Sequence, residues 1–181
     1  MKKVEPIRDK EKIQEVKNAL LKRGYRDYML FIIGINTGLR IGDILNLQVK
    51  DVREKTYITI NEQKTNKTKK FKINQDLKKE IDKYIMGMEQ EEYLFQSQKG
   101  DNKPISRVQA HRILKAVSKE VGLENISNHS MRKTFGYFYY KQYKEISYLQ
   151  KIFNHSTPAV TLDYIGINQD VLDKTIDNFY L

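Results

Sequence analysis

The chain has 181 residues, 39% hydrophobic and 31% charged, which suits one globular domain with its own core and excludes a disordered or fibrous chain. It holds no cysteine, so it has neither a disulfide framework nor a thiolate metal site, and its longest apolar run, residues 29–35, is too short to cross a bilayer. Lys and Arg outnumber Asp and Glu by 33 to 23, a net charge of +10 that favours a polyanionic partner without choosing among DNA, RNA and a membrane surface.

The N-terminus carries charge where a signal peptide would be apolar, so a cytoplasmic protein is expected. Residues 9–23 place Ile13, Val16 and Leu20 at helical spacing, with Gly24 where a helix would end. Residues 25–37 (YRDYMLFIIGINT) are apolar nearly all round, which predicts a buried central helix. Gly38 breaks it, and residues 40–47 restart as a short amphipathic helix. Thr56 to Ile60 is β-branched and aromatic, Phe71 to Ile73 alternates, and the polar stretch between them reads as the tip of a basic hairpin. Leu77, Ile81, Tyr84, Ile85 and Met88 return to helical spacing. Residues 100–104 form a loop, and Ser106 is a suitable N-cap for a helix ending at Gly122. From Ser130 the chain reads as helical almost to its end, with a break near Asn154, His155 and Ser156. Thr157 followed by Pro158 is a strong helix start, a capping hydroxyl and then proline in the first turn. The expected fold is mainly α with one small antiparallel β-sheet (α+β).

Few residues of this chain suit chemistry on an anion. Arginine's rigid fork fits an oxyanion better than a lysine does, and only eight arginines are present. Arg40 follows the Thr37-Gly38-Leu39 turn at a helix start, where its fork and the nearby backbone N–H groups both favour an anion. Of the three histidines, His129 precedes Arg132 by three residues, which puts both on one helix face. His155 lies 23 residues after Arg132, and Tyr164 follows it by nine. The simpler alternatives are that Arg40 caps a helix, that Arg132 pairs with Asp163 or Glu145, and that Tyr164 is one of twelve ordinary tyrosines. His111 has no assigned role.

The segments TGLRIGDIL, HSMR and HSTPAVTLDY, in this order and at these separations, resemble the three motif boxes of the tyrosine recombinases of the phage integrase type, a likeness that runs from about Val4 to Phe179. That resemblance implies Tyr164 as the nucleophile on a DNA phosphate, Arg40 and Arg132 as the clamp on its non-bridging oxygens, His129 as general base and His155 as a hydrogen-bond donor. It also implies a lysine in the hairpin turn that protonates the leaving oxygen. Four lysines, Lys64, Lys67, Lys69 and Lys70, compete there. Lys64 best matches the family position, which leaves Lys67, Lys69 and Lys70 as phosphate contacts. No metal or other cofactor is implied.

Three departures from the family pattern stand out. Asp43 replaces a glutamate and can still anchor the site. Lys133 replaces a frequent histidine after Arg132, with little effect expected. Asn154 replaces a glycine before His155, and asparagine tolerates the positive φ such a turn needs. The family's usual N-terminal DNA-clamping domain is not expected within residues 1–181, which read as one catalytic domain: either an enzyme of that domain alone, like the small fimbrial-switch inversion enzymes it resembles in size, or one whose other half lies elsewhere.

By the same resemblance the partners are double-stranded DNA, further copies of the chain as a tetramer on paired sites, and accessory DNA-bending or directionality proteins. The apolar segment from Gln169 would dock onto a neighbouring copy. The rivals are a type IB topoisomerase-like strand transferase and a non-catalytic DNA-binding accessory module. A metallonuclease is disfavoured, since two of the three histidines are already placed.

Overall fold

The structure, a computed structural model, describes residues 4–61 and 68–167. Helix α1 (Lys10–Arg23) starts at Asp9, whose carboxylate accepts the Glu11 N–H at 2.7 Å, and ends at Gly24. Gly24 turns the chain straight into α2 (Tyr25–Thr37), the helix expected to be buried, and eight of its thirteen residues are. α2 is the hub: α1, α4 (Gln75–Tyr84) and α6 (Asn128–Tyr143) pack on it, and α3 (Ile41–Leu45) follows it. One core cluster lies between α1, α2, α5 (Arg107–Glu120) and α6, and holds Val16, Leu20, Phe31, Leu114 and Met131. A larger one joins α2 to the hairpin, α4, α7 (Ile146–Phe153) and α8 (Pro158–Ile165). The Gly38 cap sits at φ 68°, where a non-glycine residue is strained, and a β-carbon there would collide with the Phe135 ring.

α3 (Ile41–Leu45) is shorter than the sequence suggests, with Arg40 as its N-cap residue. Strands β1 (Tyr57–Asn61) and β2 (Thr68–Lys72) pair antiparallel with Ile58 opposite Phe71 and Ile60 opposite Lys69. β2 begins three residues before the stretch that alternates visibly in sequence. Lys69 occupies an inward position beside Phe71, so the polar tract hides the strand's period of two. α4 (Gln75–Tyr84) stops before Met88 because the chain turns at Ile85 and Gly87. Arg53 holds that turn by donating to the carbonyls of Met88 at 2.6 Å and Ile85 at 3.3 Å.

α5 (Arg107–Glu120) begins with a reciprocal capping box between Ser106 and Gln109. α6 (Asn128–Tyr143) begins two residues before the expected start, capped by Ser127. The long helical reading after it is interrupted earlier than expected: Lys144 adopts a left-handed conformation, and Glu145 then caps α7 (Ile146–Phe153) by accepting the Ser147 N–H at 2.7 Å. Asn154 ends α7 at φ 59°, the positive φ anticipated for it. Thr157 caps α8 (Pro158–Ile165) with proline in its first turn, as the sequence indicates. The helix read from Gln169 lies outside the described residues. Among the described residues, no helix is long and apolar enough to cross a membrane.

Candidate active site

α6 carries His129, Arg132, Lys133 and Gly136 at i, i+3, i+4 and i+7, so all four share the face turned toward α8. At Gly136 the helices nearly touch. A β-carbon there would lie 2.6 Å from Ile165 Cγ2 and 2.9 Å from the Phe153 ring. This approach brings Tyr164, on the last turn of α8, against the basic residues of α6.

Arg132 is the centre of the arrangement and is only 5% exposed. One terminal nitrogen donates to the carbonyl of Gly38, the α2 cap, and the other to Ile152 O at 3.2 Å. Its guanidinium carbon lies 4.3 Å from the centre of the Phe153 ring, and it is near enough to the Tyr164 phenol for each to act on the other's charge. Neither Asp163 nor Glu145 is the partner through which Arg132 is fixed: two backbone carbonyls and an aromatic face do that. Burial pulls its pKa down to about 10, which leaves it charged at neutral pH. Arg40 and Asp43, at the start of α3, are near enough to act on that charge in opposite directions.

Tyr164 is edge-on to two rings, Phe153 at 5.4 Å and His155 at 5.0 Å between centroids. Burial raises its pKa above the ordinary phenol value, and the charges of Arg132 and Arg40 oppose that rise. His155 follows the Asn154 turn and sets Nδ1 3.1 Å from the hydroxyl of Thr161, which itself donates to Thr157 O at 3.2 Å. His129 lies in the first turn of α6. Both histidines are held below the ordinary imidazole pKa, by desolvation first and then by neighbouring guanidinium groups. Lys133 adds to the effect on His129.

The structure therefore brings Arg40, His129, Arg132, His155 and Tyr164 to one place. Lys69 also points there, its Nζ 3.3 Å from Ile152 O, while Lys70 is exposed on the outer face of the hairpin. Lys64 and Lys67 lie outside the described residues. The residue that the motif boxes pass over is Lys133. It is 6% exposed, with Nζ 4.8 Å from the centre of the Tyr164 ring. Its position four residues after His129 marks it for the same face, a signal present in the spacing. Among the described residues, no three His, Asp or Glu side chains are grouped to hold a metal ion.

Comparison with known proteins bears on the family and the fold. The phage integrase family matches residues 8–170. The chain is 53% identical over 167 residues to the probable integrase/recombinase YoeC of Bacillus subtilis, covering 92% of each. It is 24% identical to the tyrosine recombinase XerA of Pyrococcus furiosus, where the match takes in 92% of this chain and 59% of that one. Among solved structures, a XerA recombinase superposes with a TM-score of 0.76 at 19% identity, over 99% of this chain and 68% of the other. A lambda integrase dimer bound to a core site superposes at 0.71 and 17% identity, over 92% and 61%. At these identities the structural likenesses bear on the fold. With the family match spanning most of the sequence and a half-identical relative of nearly the same extent, the chain belongs to the phage integrase family and is a tyrosine recombinase catalytic domain.

Proposed function

We propose that the chain cuts and rejoins double-stranded DNA as a site-specific recombinase, through a covalent bond between Tyr164 and a backbone phosphate. The observation that supports this most is the packing of a buried guanidinium, Arg132, and the Tyr164 ring on the same Phe153 ring, at 4.3 Å and 5.4 Å from its centre, with the His155 ring 5.0 Å from Tyr164.

A phosphodiester repels nucleophiles through its own charge, so cleavage needs cations that meet the charge building on the non-bridging oxygens. Arg40 and Arg132 supply it, each able to give paired N–H bonds. The Tyr164 oxygen bonds to phosphorus as the bond from phosphorus to the 5′-oxygen breaks. The phenol proton passes to His129, whose lowered pKa keeps it neutral and able to accept at pH 7. The departing 5′-oxygen takes a proton from Lys64. With the Thr161 hydroxyl donating to Thr157 O, Nδ1 of His155 donates to Thr161, and Nε2 donates to the phosphate in the imidazolium form, which the phosphate's negative charge favours. A 5′-hydroxyl from another strand then reverses each step. The phosphotyrosyl link conserves the energy of the broken diester, so the exchange requires no energy-supplying cofactor.

Lys67, Lys69 and Lys70 contact flanking phosphates, and four copies act on two paired sites in the cytoplasm, with accessory DNA-bending or directionality proteins. The lambda integrase likeness is to a DNA-bound dimer, which supports DNA as the partner.

The test is covalent capture on nicked duplexes drawn from a fragment library. Wild-type protein should yield an adduct that survives SDS and is destroyed by protease, and Tyr164→Phe should yield none. An adduct of equal yield from Tyr164→Phe would overturn the reading.

A further inference from the structure

Two adjacent lysine and arginine side chains buried on one helix face are an unfavourable arrangement unless something nearby answers both charges. Arg132 is answered by two carbonyls and the Phe153 ring. The ammonium of Lys133 lies 4.8 Å from the centre of the Tyr164 ring, within the range of a cation–π contact, and is withdrawn from solvent, where such contacts are strongest. We propose that Lys133 is a positioning residue for Tyr164: it holds the ring from α6 and favours the ionised oxygen as the phenol gives up its proton. The inference rests on Tyr164 being the nucleophile.

The surroundings of the phenol explain why such a group is useful. From α6 it faces Arg132 and Lys133, with His129 one turn earlier; from the turn before α8, His155; from the start of α3, Arg40, with Asp43 close by. Asp163 precedes it on α8, and Lys69 reaches Ile152 from the hairpin. Even with two guanidinium groups acting on it, burial leaves the phenol harder to ionise than in water. When DNA binds, a phosphate draws on both arginines at the moment the phenol must ionise. An ammonium beside the ring adds a positive charge that does not depend on either arginine. No proton leaves Lys133 in this scheme.

The test compares Lys133→Met, which keeps the apolar stem, with Lys133→Arg, which keeps the charge. Each is made with 3-fluorotyrosine in place of tyrosine and titrated by fluorine NMR without DNA, and the residue 164 signal is assigned by its loss in Tyr164→Phe. Fluorination lowers the phenol pKa, so the ring titrates while the lysine is still charged. Lys133→Met should raise the midpoint by about one unit, while Lys133→Arg stays within a few tenths. In covalent capture at neutral pH, Lys133→Met should form adduct about tenfold more slowly, with the deficit narrowing as pH rises, and Lys133→Arg should restore the rate. An unchanged midpoint in Lys133→Met overturns the proposal, whether or not the protein cuts DNA. Equal loss in both variants at every pH also overturns it, since that is the mark of packing alone. If no variant, wild type included, forms an adduct, the assignment of strand transfer has failed, and the titration still decides whether Lys133 acts on the ring.

Discussion

Arg132 carries two duties that pull in different directions. Its terminal nitrogens satisfy the carbonyls of Gly38 and Ile152, which ties the end of α2 to the end of α7, and the same group is the one proposed to meet the phosphate. Arg132→Ala should therefore fail twice. Adduct formation should fall by roughly a hundredfold to a thousandfold, the scale of a lost oxyanion donor. Stability should drop by about 1–3 kcal/mol, because the buried Gly38 carbonyl loses its donor while Ile152 O keeps Lys69. Capture kinetics and a denaturant titration on the same preparation separate the two effects, and unchanged stability would show that the Gly38 carbonyl finds another donor. Most of this cluster is legible in the spacing of arginine, histidine and tyrosine along the chain. Lys133 is not legible from the family pattern, in which its position is held by a histidine; only its place on the α6 helix, one turn after His129, gives it away. The carbonyl partners of Arg132 have no sequence mark at all: every residue carries a carbonyl, and only tertiary packing decides which ones a guanidinium meets.

Helix α6 lacks a clean apolar stripe because the face it turns to α8 carries the basic residues, and its close approach to that helix depends on Gly136 having no side chain. Gly136→Ala should cost about 1–3 kcal/mol through overpacking against Ile165 and Phe153, and should displace Tyr164 from Arg132 as α8 moves away. A melting point equal to wild type, together with normal adduct formation, would show that the interface relaxes freely. The caps at Asp9, Ser106 and Thr157 are readable because a short oxygen-bearing side chain before an amphipathic run is a local signal. Asn154 is readable for the same reason, since its backbone preference is its own. Lys144 is not, since lysine has no preference for the left-handed region; it adopts that region because α7 must turn back to reach α8. The length of β2 is hidden by Lys69, a charged residue on the inner face of a two-stranded sheet.

The whole domain is arranged around α2, which its all-round apolarity announces, and Arg40, Arg132 and Lys133 gather around Tyr164 beside the two histidines. That concentration has a pH consequence. His129 and His155 bind protons less readily folded than unfolded. Groups of that kind contribute stability above the unfolded imidazole value, about pH 6.5, and lose it as the pH falls through their lower folded values. The melting temperature of the free protein should begin to fall just below about pH 6.5, and the fall should be shallower in a His129→Asn, His155→Asn variant. Parallel curves for the two proteins would remove the histidines from the account. A bound phosphate would favour the protonated forms, so duplex DNA should soften the acid limb. The Ile152 carbonyl accepts from both Lys69 and Arg132. An oxygen with two lone pairs can lose one of two donors and remain satisfied. The hairpin can therefore lift its ammonium away to meet a duplex without leaving that acceptor bare, and the guanidinium keeps its hold on α7 while the strand above it moves.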